Sequence, residues 1–242
     1  MLLVYTPSVT PRLGYIFRHI FFRMLDVEIS ITSSIEKFVS HDGAKISYSE
    51  KPLGKELFFY SSKILFDSGI QDIEIEIFDW NNHPVFFKVP ESSGIPFDIF
   101  AASFYLLSRY EEYLPHIKDH IGRYEYKNSV AFKNNFLEKP LVDIWVNELK
   151  VVINNKFNNL IRKNNSKKKI LPIFEVSEPF KFLNKSIFSI IFQSLNSIYR
   201  FDLRTFFRQI LVLINVKKDP FDEYQFIIDF FKKNQLNFIS FF

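Results

Sequence analysis

The stretch LLVYTPSVTPRLGYIFRHIFFRMLDVEISI, residues 2–31, decides the fold class. Leu2-Leu3-Val4-Tyr5 reads as a short apolar strand, closed by Pro7, which has no N–H to continue a ladder. From Arg12 to Leu25 the apolar residues Leu13, Ile16, Phe17, Ile20, Phe21 and Met24 recur three and four apart. That spacing puts them on one stripe of an amphipathic helix. Val27-Glu28-Ile29-Ser30-Ile31 then alternates with a period of two, the signature of a half-buried strand. Strand, helix and strand in this order make a βαβ unit and a partly parallel sheet.

Working outward, strands are expected at Lys45 to Tyr48 and Leu57 to Tyr60, with a hairpin formed by Ile73–Phe78 and Val85–Lys88 around the turn pair Asn81-Asn82. Asp98 is placed to cap a helix running through Phe100, Ala101, Phe104, Leu107 and Tyr110 to Leu114, where Pro115 ends it. A second helix follows Pro140 and spans Leu141 to Phe157. Residues 158–169 are polar and read as an exposed connection. The pattern then restarts with a strand from Lys169 to Val176, a helical apolar stretch from Leu183 to Val216, a helix opened by Asp219-Pro220, and a strand from Leu236 to Phe242. The expected fold is therefore α/β, with a mixed α/β domain at 1–157, a linker at 158–169 and a second segment at 170–242. A chain ending inside an apolar strand leaves an open sheet edge, so the second segment is expected to be incomplete.

With 242 residues and 47% hydrophobic, the chain can bury one large core and part of a second. The net charge of +4 is a mild excess, and its only dense basic run is Arg162-Lys163 through Lys169. A run of that kind reads as a solvated linker, so no nucleic-acid partner is expected. The absence of cysteine excludes disulfides, thiolate metal sites and cysteine nucleophiles. The N-terminus has no basic region before its short apolar run and does not read as a signal peptide. The most apolar later stretch, Ser186 to Tyr199, is interrupted by Gln193, Ser194 and Asn196. It falls short of the roughly 20 residues a membrane span requires. A cytoplasmic protein without a membrane span is expected.

Three strings, LLVYTPSVTPRLGYIF (2–17), ISYSEKPLGKELFF (46–59) and PFDIFAASFYLLSRYEEYLPH (96–116), resemble the N-terminal domain that precedes the catalytic barrel in one group of bacterial polysaccharide deacetylases. Lys217-Lys218-Asp219-Pro220-Phe221-Asp222-Glu223-Tyr224 is similar to the segment before the first barrel helix in that family. The resemblance implies that residues 170–242 are the first strand–helix–strand portion of a distorted β/α barrel. It further implies a divalent, zinc-type metal held by an aspartate and an H-x-x-x-H pair, a second aspartate as general base, and an N-acetylated carbohydrate as the substrate. In such a site the metal acidifies water and polarises the amide carbonyl while the carboxylate takes the proton.

The family's first barrel strand carries Pro-Thr-x-Asp-x-Asp-x-Ala. This chain reads Pro172-Ile173-Phe174-Glu175-Val176-Ser177-Glu178-Pro179. Glu175 stands at the position of the base and Ser177 at that of the metal-binding aspartate. The longer carboxylate is displaced by a methylene, and the serine removes the charge that the metal requires. The H-x-x-x-H pair is expected beyond the second barrel strand, past Phe242. The pair present, His116 and His120, reads as two solvent-facing loop histidines, and metal binding is not carried over to them. No cofactor is therefore expected in this chain. The expected reading is a deacetylase-like protein without hydrolytic activity, or alternatively a non-catalytic carbohydrate- or protein-binding module. Arg109 with Glu112 or Glu111 reads as a structural ion pair, with an anion-holding network as the alternative. Gly54 makes no phosphate loop, and His41-Asp42-Gly43 reads as a turn.

Overall fold

The structure, a computed structural model, describes residues 1–158, 160–161 and 171–241. Most of the expected linker, its basic run, and the strand residues Lys169, Ile170 and Phe242 lie outside the described residues. The chain divides into two compact units, Met1–Asn165 and Ser166–Phe242.

The first unit is built on an all-parallel sheet of β1 (Leu2–Tyr5), β2 (Ile29–Thr32), β3 (Lys45–Ser49) and β4 (Leu57–Tyr60), in the order β2-β1-β3-β4. Every residue of β1 is buried, as befits an interior strand covered on both faces. Strand alternation divides the covering. Leu2, Val4, Ile46 and Tyr48 face the main core, whereas Leu3 and Tyr5 meet Phe38 on the other side. Phe38 belongs to α2 (Ile35–Val39), which Ser34 caps by accepting the Lys37 N–H at 3.2 Å.

Between β1 and β2 runs α1 (Pro11–Phe17), opened by Thr10, whose hydroxyl accepts the Leu13 N–H, and by Pro11 in the first turn. The helix expected through Leu25 widens into a π-helix at Arg18–Met24, where the Leu25 N–H reaches the Ile20 carbonyl at 3.0 Å. The wider turn keeps Phe17, Ile20, Phe21 and Leu25 buried and leaves Phe22 exposed. Apolar spacing of three and four does not distinguish the two helical forms.

The hairpin is β5 (Phe78–Trp80) with β6 (His83–Val85), antiparallel. Asn81 and Asn82 have φ of +53° and +62°, the two left-handed positions that a type I′ turn demands. Its arms are shorter than expected. Ile73, Ile75 and Ile77 keep the alternation, half-buried against the core between exposed acidic residues, but belong to no strand.

Asp98 caps α3 (Ile99–Leu107) as expected, accepting N–H groups from Phe100 and Ala101. The helix stops seven residues short of Leu114. Arg109 is left-handed, with φ of +51°, and a 3-10 turn at Tyr110–Tyr113 follows. Phe100 lies at the centre of the core, 4.8 Å from the Phe17 ring and 5.2 Å from that of Tyr48, centroid to centroid. After the short α4 (Val130–Lys133), α5 (Leu141–Lys156) buries Leu141, Trp145, Leu149 and Ile153, one per turn. Trp145 is fully buried; its indole N–H donates to the Pro84 carbonyl at 3.2 Å, and its ring meets Phe97 and Phe86 edge-on.

In the second unit β7 (Ile173–Glu175) and β8 (Ile239–Phe241) pair in parallel, Ile173 opposite Ile239. Between them come α6 (Ile187–Tyr199), α7 (Leu203–Leu213) and α8 (Tyr224–Lys233). The single helical stretch expected from Leu183 to Val216 is thus two helices, broken at Phe201 with φ of +55°. Asp219 does not cap a helix at Pro220. Its carboxylate accepts the N–H groups of Lys181, Phe182, Leu183 and Phe221, which pins the entry to α6, and α8 begins only at Tyr224. Phe174 of β7 packs on Phe231 and Phe238.

Candidate functional site

A cavity of about 440 Å³ opens in the first unit where α3, the 3-10 turn after it and α4 converge. This lies within the range of small-ligand pockets. Each wall follows from a local feature of the chain. The break at Arg109 ends α3 and starts the turn that carries Glu111. The loop from Pro115 folds back through a tight turn, in which the Asp119 carboxylate accepts the Ile121 and Arg123 N–H groups and Gly122 takes φ of +84°. A bridge between Lys118 and Tyr124 closes that turn and sets Tyr124 over the cavity.

Glu111 accepts the Val130 N–H, at the start of α4, at 2.9 Å. Burial pushes its carboxyl above the usual range, although the Val130 N–H and the Lys133 ammonium act in the opposite direction. Burial and the Glu111 charge raise the Tyr124 phenol to about 12. The His116 ring meets Tyr124 edge-on, with centroids 5.0 Å apart. Its Nδ1 lies 2.8 Å from the Leu114 carbonyl, to which it donates. Tyr105, on α3, is only 2% exposed and is held by ring contacts to Tyr110 and Phe86. Its hydroxyl has no hydrogen-bond partner among the described residues. Burial, followed by the Glu111 charge, pushes its pKa up.

The residues singled out in the sequence fall in different places. Arg109 pairs with Glu112 on the surface, so it forms a structural ion pair and no buried network, and Glu111 turns away into the cavity. His116 is half-buried against Tyr124 rather than solvent-facing, whereas His120 is exposed. Glu175 and Ser177 share the exposed face of the β7 segment, opposite the half-buried Phe174 and Val176, and Glu178 pairs with Lys185 at 3.5 Å. One carboxylate and one hydroxyl on an open strand do not fit a divalent metal, which takes three or four strong ligands. Among the described residues, no three His, Asp or Glu side chains come together as a metal-sized group. His41-Asp42-Gly43 is a loop before β3, where Lys45 donates to the His41 carbonyl at 2.7 Å.

Tyr105, Tyr124, Lys133 and Asp72, all lining the cavity, were not marked by any motif. The one available signal was a phenol among the apolar residues of α3, and helical spacing treats that as core.

Fold and site together define an α/β protein with a parallel four-stranded sheet and a polar-lined cavity at the end of α3. The chain belongs to a family of unknown function, DUF7033, whose model matches residues 2–158. No curated protein and no solved structure matches it. Among the described residues, no helix is long and apolar enough to cross a membrane.

Proposed function

We propose that this chain is a polysaccharide deacetylase-like protein that does not itself carry out the metal-dependent removal of acetyl groups. The resemblance of residues 2–17, 46–59, 96–116 and 217–224 supports the kinship. The parallel β7–β8 pair, with helices between its strands, is in keeping with the opening of a β/α barrel. The observation that carries the loss of chemistry is the pair Glu175 and Ser177, which stand where the resemblance places two aspartates. Serine offers a neutral hydroxyl in place of an anionic ligand, and the longer Glu175 side chain moves the base away from any water a metal would hold.

Calorimetric titration of the purified chain with zinc tests this reading. No stoichiometric site that depends on Glu175 is expected. A saturable zinc site abolished by Glu175→Gln would contradict it. A second reading, a non-catalytic carbohydrate- or protein-binding module, is favoured by the cavity of the first unit, which is formed without any contribution from β7.

A further inference from the structure

The α6–α7 hairpin of the second unit keeps a polar side chain at its centre and most of its large apolar ones outside. Where the two helices meet, Gln209 is 1% exposed; its amide donates to the Ile190 carbonyl at 3.2 Å and its oxygen accepts the Ser194 hydroxyl at 3.3 Å. Gln193 and Ser197 lie on the same half-buried side of α6. Ile187, Phe188, Ile191, Phe192, Leu195 and Tyr199 are all exposed, and no residue of α6 is buried. On α7, Leu203, Phe207, Ile210 and Ile214 recur three and four apart on a second exposed stripe, opposite the buried Gln209 and Val212. Large apolar surfaces of this kind mark interaction sites. The parallel β7–β8 pair needs one crossover helix, which α8 supplies, so the hairpin is additional to that unit.

Charge decides what fits this face. Between Lys181 and Lys218 the chain carries seven basic side chains and one acidic one, Asp202, which caps α7. Lys185 and Lys218 pair with Glu178 and Asp222. Arg200, Arg204 and Arg208 are exposed, and at about 100° per residue Arg204 and Arg208 run along one flank of the α7 stripe. A second copy of the chain would set two such basic faces against each other. We propose that the α6–α7 hairpin is a docking surface for an anionic lipid bilayer, lying in the plane of the membrane. The apolar stripes enter the boundary between headgroups and acyl chains, while the arginines extend to the lipid phosphates. Neither helix crosses: the 13 residues of α6 extend about 20 Å at 1.5 Å per residue, short of the roughly 30 Å hydrocarbon layer. The inference rests on the hairpin alone and on no feature of β7.

The test is flotation of the full chain with lipid vesicles, which separates bound protein from protein that merely aggregates. The vesicles are phosphatidylcholine alone, and two parts phosphatidylcholine to one part phosphatidylglycerol. Flotation with the mixed vesicles is expected, weakened about tenfold or more when the anionic lipid is left out and weakened also by added salt. Arg204→Gln with Arg208→Gln should weaken binding to the mixed vesicles about 30-fold. Phe188→Ser with Phe192→Ser should weaken it about tenfold or more. All four side chains are exposed, so both double variants should keep the melting temperature of the parent. No flotation with the mixed vesicles, equal flotation with both kinds, or parent-like flotation of either double variant would overturn the proposal. A discrete dimer that Phe188→Ser with Phe192→Ser dissolves, in a parent that does not float, would assign the face to a second copy of the chain instead.

Discussion

Asp98 is the residue whose replacement most sharply tests how the first unit is held together. Its carboxylate is 2% exposed and accepts four hydrogen bonds. Two come from the Phe100 and Ala101 N–H groups at the start of α3, one from the buried Tyr48 hydroxyl at 2.8 Å, and one from the Ser62 N–H at 2.6 Å. One side chain thus ties α3 to β3 and to the segment following β4. Losing the helix cap costs about 1 kcal/mol, and stranding the Tyr48 and Ser62 donors costs about 1–3 kcal/mol each, so Asp98→Ala should destabilise by roughly 3–7 kcal/mol. A domain stable by about 5–15 kcal/mol could unfold outright, which makes Asp98→Asn the measurable variant.

The same residue carries a pH signature. Burial raises the Asp98 carboxyl from 3.8 to about 6. A folded-state pKa above the unfolded one means that the native protein binds the proton more tightly. The associated stability is therefore full below pH 4 and is lost as pH rises through 6. Between pH 4.5 and 7.5 that loss amounts to about 2 kcal/mol. Urea unfolding of the parent and of Asp98→Asn at both pH values isolates it, because all other carboxylates cancel in the difference. The advantage of the parent should be larger at pH 4.5 by about 2 kcal/mol. An advantage that grows toward pH 7.5 would refute the reasoning, because it would mean that the four donors outweigh burial and hold the carboxylate ionised.

Trp145→Ala should cost about 3–5 kcal/mol in chemical denaturation, since it removes a fully buried indole that bridges α5, Phe86 and Phe97; a loss below about 1 kcal/mol would contradict the packing. Arg109→Gly should leave the melting temperature unchanged or higher. It relieves about 1 kcal/mol of left-handed strain and gives up only an exposed ion pair with Glu112. A clear drop would show that the pair matters more than the backbone. The second unit exposes Phe188 at 86% and Phe192 at 72% on α6. Replacing both by lysine should reduce self-association in light scattering, and unchanged scattering would dissociate the apolar surface from aggregation.

The first unit was more legible in the sequence than the second, for physical reasons visible in particular residues. Leu2–Tyr5, Asn81-Asn82, Asp98 and the Leu141–Ile153 stripe announce themselves through burial, turn chemistry and capping, which are local effects. The ends of elements were harder to read. The π-helix at Arg18–Met24 keeps the same apolar stripe as an α-helix, and the stop at Leu107 depends on Arg109 turning left-handed with no glycine or proline to mark it. Phe201 and Asp219 mislead in the same manner, because a break at a phenylalanine and a cap serving an upstream segment carry no sequence signature. The cavity was invisible for a related reason. Glu111, His116, Tyr124 and Tyr105 meet only because the chain reverses at Arg109 and again near Gly122. Sequence motifs led instead to Glu175 and Ser177, which lie on an open strand face.

The central claim, a deacetylase-like chain without hydrolysis, is tested most directly by measuring acetate released from N-acetylated chitooligosaccharides by the purified chain, with and without added zinc. Release at the level of the enzyme-free blank is the expected result under both conditions. Zinc-dependent release that disappears in Glu175→Gln would contradict the account.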